Sequence, residues 1–533
     1  MKKLLFVLLA GVLFTACAPQ AAAPVVKPTT PLPTRTSTPA PAGLWISPAV
    51  PDALRQTALS WSVPIIVDSS LASMRLDVER APSSIVNRPP SIWIYALAAP
   101  FPTVTDGVTL DDLRAAWGGS SSGPFAGRPL WMAESTLSAF TALWGAPAGG
   151  SVKTAPADQL LDLAWKDLPS WAIIPFESVQ PKWKVLTVDG QSPIRKDFDV
   201  SKYPLQITFA LQGAQPSNLQ TFNLQPFNRD PSKMTTLIMT GTTALVRWIA
   251  YKMEINGVNY PGRDIGDWLR QADIFHISNE VSFDPNCPPP NPYQSRFYCS
   301  DPKYIQLLDD VGVDVVELTG NHNMDNGASS ALYTLSLYKQ HGISTFGGGA
   351  NAEDAAWATT NSPGANHCNY EQFTAQISQL RAQGYLVIAT FQYREGYSPE
   401  PMPWQVNDFR KAADAGAAIV SGSQSHFPLA MEFYNGAFIH YGLGNLFFDQ
   451  MGNISPGPGL PLQPGERREF IDRYVFYDGR YISTELLTAM LEDYSRPRPM
   501  TADERASFLN EYFGHSGWLP LVPTPAPAQT ATI

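Results

Sequence analysis

The chain has 533 residues, of which 44% are hydrophobic, 16% charged and 11% aromatic, enough apolar material for sizeable cores and too much for a disordered polymer. Its 37 Lys and Arg against 47 Asp and Glu leave a net charge of −10, which argues against a surface built to neutralise phosphate backbones and so against nucleic acid as a partner. At ordinary domain sizes the length accommodates two or three folded bodies.

At the N-terminus, Lys2 and Lys3 precede the apolar run Leu4 to Phe14, 11 residues long, and then Thr15, Ala16 and Cys17. At about 1.5 Å per residue a helix of that length falls well short of the roughly 30 Å hydrocarbon core, so residues 1–17 predict a signal peptide and an exported protein. Phe14-Thr15-Ala16-Cys17 resembles the lipobox of bacterial lipoprotein signals, with Phe14 in place of the usual Leu. The resemblance implies that Cys17 is lipidated; an ordinary secretory signal with an incidental cysteine is the alternative. Residues 18–43 hold seven prolines, two cations and no acid, the composition of an extended tether, with a reach of about 80 Å in polyproline geometry. No other apolar run is long enough to span a bilayer, so the expected location is extracytoplasmic, with the lipid as membrane anchor.

Residues 44–226 read as a first, mixed α/β body. Pro64 to Val67 and Ile92 to Tyr95 look like buried strands, and Leu110, Leu113 and Trp117 share one helical face. Thr109 with Asp112 fits a capping box, and Gly118-Gly119 ends that helix. The segments Phe101 to Gly119 and Trp171 to Ile194 resemble type II periplasmic binding proteins of the phosphate-binding kind, without a ligand signature.

Residues 234–491 alternate strand and helix patterns. Strands are expected at Thr236 to Met239, Asp273 to Ile277, Val313 to Leu318 and Leu386 to Thr390, and near Ile419, Phe433 and Ile439. Helices are expected at Ala244 to Lys252, Pro302 to Val311, near Ser330 to Gln340, near Tyr370 to Gln383, and at Gln405 to Ala415. Such alternation predicts a layered α/β domain with ligands gathered beyond the carboxyl ends of its strands. Cys287 and Cys299 bracket a proline-rich loop and suit a disulfide in an oxidising compartment, which leaves Cys368 odd. Residues 519–533 read as a disordered tail.

All seven histidines lie after residue 275, so imidazole chemistry belongs to this second body. Four polar clusters follow its expected strands: Ser278-Asn279-Glu280, Thr319 to Asp325, Phe391-Gln392-Tyr393, and Ser421 to His426. Carboxylate, amide oxygen and imidazole groups brought together at strand ends are ligands for Mn, Fe, Zn or Mg, and a neighbouring histidine can protonate a leaving group. Gly347-Gly348-Gly349 reads as a tight turn, and Tyr441 to Asn445 as a turn beneath the site. Asp325 and Asp449 are either orienting carboxylates or solvent-exposed.

The segments TLIMTGTTALVR (236–247), HISNEVSF (276–283), VDVVELTGNHNMDNG (313–327), FGGGAN (346–351) and AAIVSGSQSHFPLAMEFYNGAFIHYGLGNLFFDQ (417–450) resemble the poly-gamma-glutamate capsule biosynthesis family of CapA type. That family is a branch of the calcineurin-like metallophosphatases. The resemblance implies a metallophosphatase-like fold, with Glu280, Asn321 and His426 as metal ligands and His322 as proton donor. Three positions depart from it: Thr242 stands where a carboxylate is usual, Gln392 where a histidine is, and Ser423-Gln424 where two more histidines are. The remaining set either holds one divalent ion with waters or lines a metal-free pocket.

Three functions follow. The first is an envelope lipoprotein of capsule or exopolymer synthesis with a degenerate site, whose partner is an anionic polymer or its synthesis complex. The second is an active metal-dependent hydrolase of phosphoester or amide bonds. The third is a solute-binding lipoprotein.

Overall fold

The computed structural model describes residues 43–80, 90–213, 224–225, 227–293, 298–351, 363–365, 369–450 and 466–520. Cys17, the signal, all but Gly43 of the tether, Cys368 and most of the expected tail lie outside them. Among the described residues no helix is long and apolar enough to cross a membrane.

The first body is built around the strand Ser91–Pro100, whose alternate residues are buried on both faces. It pairs antiparallel with Gln206–Gly213, Trp171–Pro175 and Trp183–Val188. The expected helix forms as Leu110–Trp117, with Thr109 Oγ1 accepting from the Asp112 amide and the Asp112 carboxylate accepting from the Thr109 amide. One expectation is corrected. Pro64 to Val67 is not a buried strand: Ile65 makes a single bridge to Leu44, and Val67 is 94% exposed. The edge strand Leu44–Ile46 takes its ladder from Met74–Val78 instead. A four-residue apolar run that starts with Pro carries too little pattern to tell an interior strand from a segment lying against an edge.

The second body has the expected layered α/β form. Its larger sheet runs in the order Ser344–Phe346, Val315–Glu317, Ile274–Asn279, Met234–Thr243, Arg468–Tyr477, Arg480–Glu492, Arg496–Pro499. The first four strands are parallel and the rest antiparallel. A smaller sheet, Ile388–Gln392, Ile419–Ser423, Ala437–His440 and Met431–Tyr434, packs on its face. Side-chain alternation sorts the layers. Ile238, Phe275, Ile277 and Val316 point outward to helices contributing Ile249, Met253, Leu308 and Tyr338. Phe391, Val420 and Ile439 point outward on the other side, to Ile377 and Phe409. Between the sheets lie Leu237, Met239, Ile419, Phe438, Phe470 and Tyr474. The order is helix, sheet, sheet, helix.

The helix expected from Ala244 starts three residues later, at Arg247, and runs to Asn256. The Ala244 amide is held by the Phe447 carbonyl (3.0 Å), so residues 244–246 are tied to the neighbouring loop before the helix begins. The strands Arg468–Tyr477, Arg480–Glu492 and Arg496–Pro499 and the helix Ala502–His515 were not expected. In the first of these the apolar alternation is interrupted by buried Glu469, Asp472 and Arg473, which hides its strand period in the sequence.

The two bodies share a core, since Val475, Tyr477 and Ile482 of the larger sheet pack with the first body's apolar residues. Asp106 clamps the junction, bonded to Lys184 at 2.7 Å and to Arg505 at 2.6 and 2.8 Å. Toward the carboxyl ends of the strands the inter-sheet layer turns polar. Ser278 and Ser423 hydroxyls meet at 3.1 Å, and His440 Nδ1 lies 2.7 Å from Asp472 Oδ2 with both residues fully buried. His276 Nε2 stands 3.8 Å from Glu317 Oε2. Cys287 and Cys299 are joined by a disulfide.

Candidate functional site

The polar layer ends at a cluster assembled from five strand ends. Glu280 directly follows Ile274–Asn279, and the loop after Val315–Glu317 lies against its backbone. A Cβ on Gly320 would stand 2.4 Å from the Glu280 Cα, so only glycine permits this approach. That contact brings in Asn321 and His322. Gln392 ends the strand Ile388–Gln392, while Gln424 and His426 follow Ile419–Ser423. Thr242 sits near the end of Met234–Thr243, locked by its amide to Gly444 O (3.0 Å) and by its carbonyl to the Leu446 amide (2.9 Å).

Three non-glycine residues here adopt left-handed backbone: Arg247 (φ +47°), Gln424 (φ +74°) and His426 (φ +54°). Such conformations cost roughly 1–3 kcal/mol each and persist where surrounding contacts enforce them, often at functional sites. Here the enforcing contacts are visible. The Gln424 amide donates to Thr242 Oγ1 (3.1 Å), His426 Nδ1 meets Asn445 Oδ1 (2.9 Å), and Arg247 is ion-paired with the buried Asp449.

Glu280 is the centre, 2% exposed. Its Oε1 accepts from Gln424 Nε2 (3.0 Å), with His426 Nε2 at 3.9 Å and His322 Nε2 at 4.0 Å. Its Oε2 is buried without a hydrogen-bond partner. The same Gln424 Nε2 donates to Asn321 Oδ1 (3.1 Å), and Gln424 Oε1 accepts from Gln392 Nε2. One side-chain amide nitrogen therefore bridges the carboxylate and the asparagine oxygen, two of the three groups that the family resemblance implies as ligands.

Each imidazole is oriented through its far nitrogen. His322 Nδ1 meets Asp325 Oδ2 (2.8 Å), which also accepts the Tyr298 amide (3.0 Å). His426 Nδ1 faces an oxygen that can only accept, so in the neutral ring Nδ1 carries the proton and Nε2 presents a lone pair toward Glu280. A carboxylate and two nitrogen lone pairs converging in this way repel one another unless a proton or cation lies among them. The Tyr298 ring stands edge-on to His322 (4.8 Å, 82°), and Phe448 lies over His426 (4.4 Å). Arg247 covers both Tyr298 and Phe448, 5.2 Å from each ring.

The structure thus brings Glu280, Asn321, His322 and His426 to one place. Asp325 and Asp449 orient their neighbours rather than facing solvent. Asn445, read from the sequence as a turn residue, fixes the tautomer of His426; nothing in the local sequence signals this, because its partner lies 19 positions away. Gly348 and Gly349, expected as part of a tight turn, instead form a short strand paired antiparallel with Gly364–Ala365. Among the described residues no three His, Cys, Asp or Glu side chains are placed to hold a metal ion together. The donor set does not fit a pair of ions: Thr242, Gln392 and Gln424 bring neutral groups, and the Gln424 amide hydrogens point at the carboxylate from where a cation would.

Residues 236–366 and 355–450 match the model of the family described as bacterial capsule synthesis protein PGA_cap. Residues 236–450 belong to the PGA_cap family. This CapA-type region is similar to the capsule biosynthesis protein CapA of Bacillus anthracis, 24% identical over 255 residues, covering 42% of this chain and 61% of that protein. It is also similar to the PGA biosynthesis protein CapA of Bacillus subtilis, 26% identical over 211 residues, covering 33% and 55%. The chain therefore spans less than two thirds of either relative. Among solved structures, an ABC-type phosphate transport receptor from Vibrio cholerae aligns at 12% identity, 33% and 88% coverage and a TM-score of 0.27. The NAD nucleotidase of Haemophilus influenzae aligns at 9% identity, 52% and 56% coverage and a TM-score of 0.26.

Proposed function

We propose that this protein is an exported lipoprotein of capsule or exopolymer biosynthesis, in which a metallophosphatase-like site has become a degenerate polar pocket. The observation that carries the reading is the Gln424 amide nitrogen, 3.0 Å from Glu280 Oε1 and 3.1 Å from Asn321 Oδ1. A hydrogen-bond donor there satisfies both acceptors without a charge, and it opposes a cation entering the same space. The partner is an envelope polymer or its synthesis complex; the relatives' names point to poly-gamma-glutamate, an anionic polymer. Lipid on Cys17 would hold the folded body at the membrane surface.

A second reading is a metal-dependent hydrolase, and one observation favours it: the unpartnered Glu280 Oε2 lies in a cluster toward which the His322 and His426 lone pairs point. One divalent ion would then be held by Glu280, Asn321 and His426, supplying Lewis acidity, with His322 as the proton donor. Complementation separates the two readings. In a strain lacking the protein, the wild type and His322→Ala are both expected to restore exopolymer yield, and Cys17→Ser to move the protein from the membrane to the soluble fraction. Failure of His322→Ala alone would favour the hydrolase, and unchanged membrane retention of Cys17→Ser would remove the lipid anchor.

A further inference from the structure

The helix Arg247–Asn256 starts at the site and carries an aromatic cluster to the surface. Trp248 follows Arg247, and its amide donates to Asp449 Oδ2 (3.1 Å), so the cluster is fixed to the same carboxylate that anchors Arg247. Tyr494 stacks on the indole at 4.9 Å and 20°. Tyr251 and Tyr293 meet it edge-on, at 5.7 Å and 89° and at 5.8 Å and 86°. Each of these two tyrosines is 38% exposed, so two rings are presented to solvent on a rigid indole support. Lys252 lies near the same indole and bonds Asp493 (2.5 Å), which also accepts from Tyr260 Oη (3.0 Å). Tyr260 in turn lines an open groove with Asn256, Asn259, Arg263, Arg270 and Gln306.

Charge decides which polymer suits this surface. Lys252 is matched by Asp493, Arg263 by Asp264 (2.9 Å), Arg270 by Asp267 (2.6 Å) and Asp310 (3.7 Å), and Arg247 by Asp449. Among the described residues no surplus of positive charge is left here to offset a carboxylate on every unit of a polyanion. Two exposed rings beside amide and guanidinium groups instead match a pyranose, whose C–H face is apolar and whose rim is a ring of hydroxyls.

We propose that Tyr251, Tyr293 and the adjoining groove form a glycan-binding site, with sugar rings stacked on the two tyrosines and hydroxyls bonded along the groove. The proposal rests on the reading above only in placing the protein at the envelope, and it adds a glycan ligand beside the polymer of that reading. Trp248 is a positioning residue that holds both tyrosines upright.

The test is calorimetric titration of the chain lacking its signal. The probes are soluble oligosaccharides of glucose, of N-acetylglucosamine and of alternating uronate and N-acetylglucosamine, together with poly-gamma-glutamate. At least one oligosaccharide is expected to bind saturably. Tyr251→Ala and Tyr293→Ala, at exposed positions, should each weaken it by about tenfold, the worth of one ring contact. Tyr251→Phe, which keeps the ring, should leave it within about twofold. No oligosaccharide binding, binding indifferent to both alanine variants, or poly-gamma-glutamate binding through the same tyrosines would overturn the proposal. None of these results alters the complementation experiment, so the functional reading stands or falls separately.

Discussion

Glu317→Gln is expected to raise stability at pH 8 by about 3 kcal/mol while changing little near pH 4. Burial pushes the Glu317 carboxyl up from 4.5 to about 7, partly offset by hydrogen bonds from Thr319 and Thr390. Burial likewise pushes the His276 imidazole down to about 4, so although their atoms are 3.8 Å apart the pair is neutral: desolvation outweighs attraction. The sign follows from proton counts. Between pH 4.5 and 7 the unfolded chain has released the Glu317 proton and the folded chain has kept it, so stability is full below 4.5 and falls as pH rises through 7. At about 1.4 kcal/mol per pH unit the loss comes to about 3 kcal/mol. His276 acts at the other end, its contribution being lost as pH falls from 6.5 toward 4. Glutamine keeps the Thr319 bond and cannot ionise. Urea unfolding from pH 4 to 8.5 should therefore show an alkaline decline in the wild type that is absent in the variant, with the acid decline retained in both. Equal declines above pH 5 would refute the assignment.

The second large effect concerns His440 and Asp472, both fully buried between the sheets. Asp472 Oδ2 takes His440 Nδ1 at 2.7 Å and the Tyr474 hydroxyl at 2.9 Å. Asp472→Ala leaves the imidazole and the phenol unpaired in the interior, and should cost about 3–5 kcal/mol. Replacing the pair by apolar residues of similar volume behaves differently, because the imidazole is then no longer stranded and only the Tyr474 hydroxyl loses its partner. His440→Leu with Asp472→Leu should recover most of that loss. Chemical unfolding of the two proteins decides it: a double variant as unstable as the single one would mean that the pair itself, and not the stranded partner, carries the energy.

Much of this site was legible because its residues follow strands. Glu280, Asn321 and His426 occupy short polar clusters after apolar runs, and a layered α/β fold sends such loops to one edge. The capping box at Thr109 was equally readable, since both of its bonds are local. What stayed hidden depends on distant partners. Asn445 looked like part of a turn, and Gln424 looked only like a missing histidine, yet it bonds residues from four other strand ends. The polar inter-sheet layer of His276, Glu317, His440 and Asp472 left no pattern either, because buried charge breaks the period from which strands are read. Pro64 to Val67 failed in the opposite direction: an apolar run without a covering layer.

Competition for Glu280 between the Gln424 amide and a cation is the point on which the account turns. Titration of manganese and zinc into the metal-stripped protein, read by calorimetry and confirmed by elemental analysis, addresses it most directly. The expected result is at most one weakly held ion per chain, with affinity gained when Gln424→His and Thr242→Asp are introduced together. Two stoichiometric ions in the wild type, both lost in His426→Ala, would contradict it.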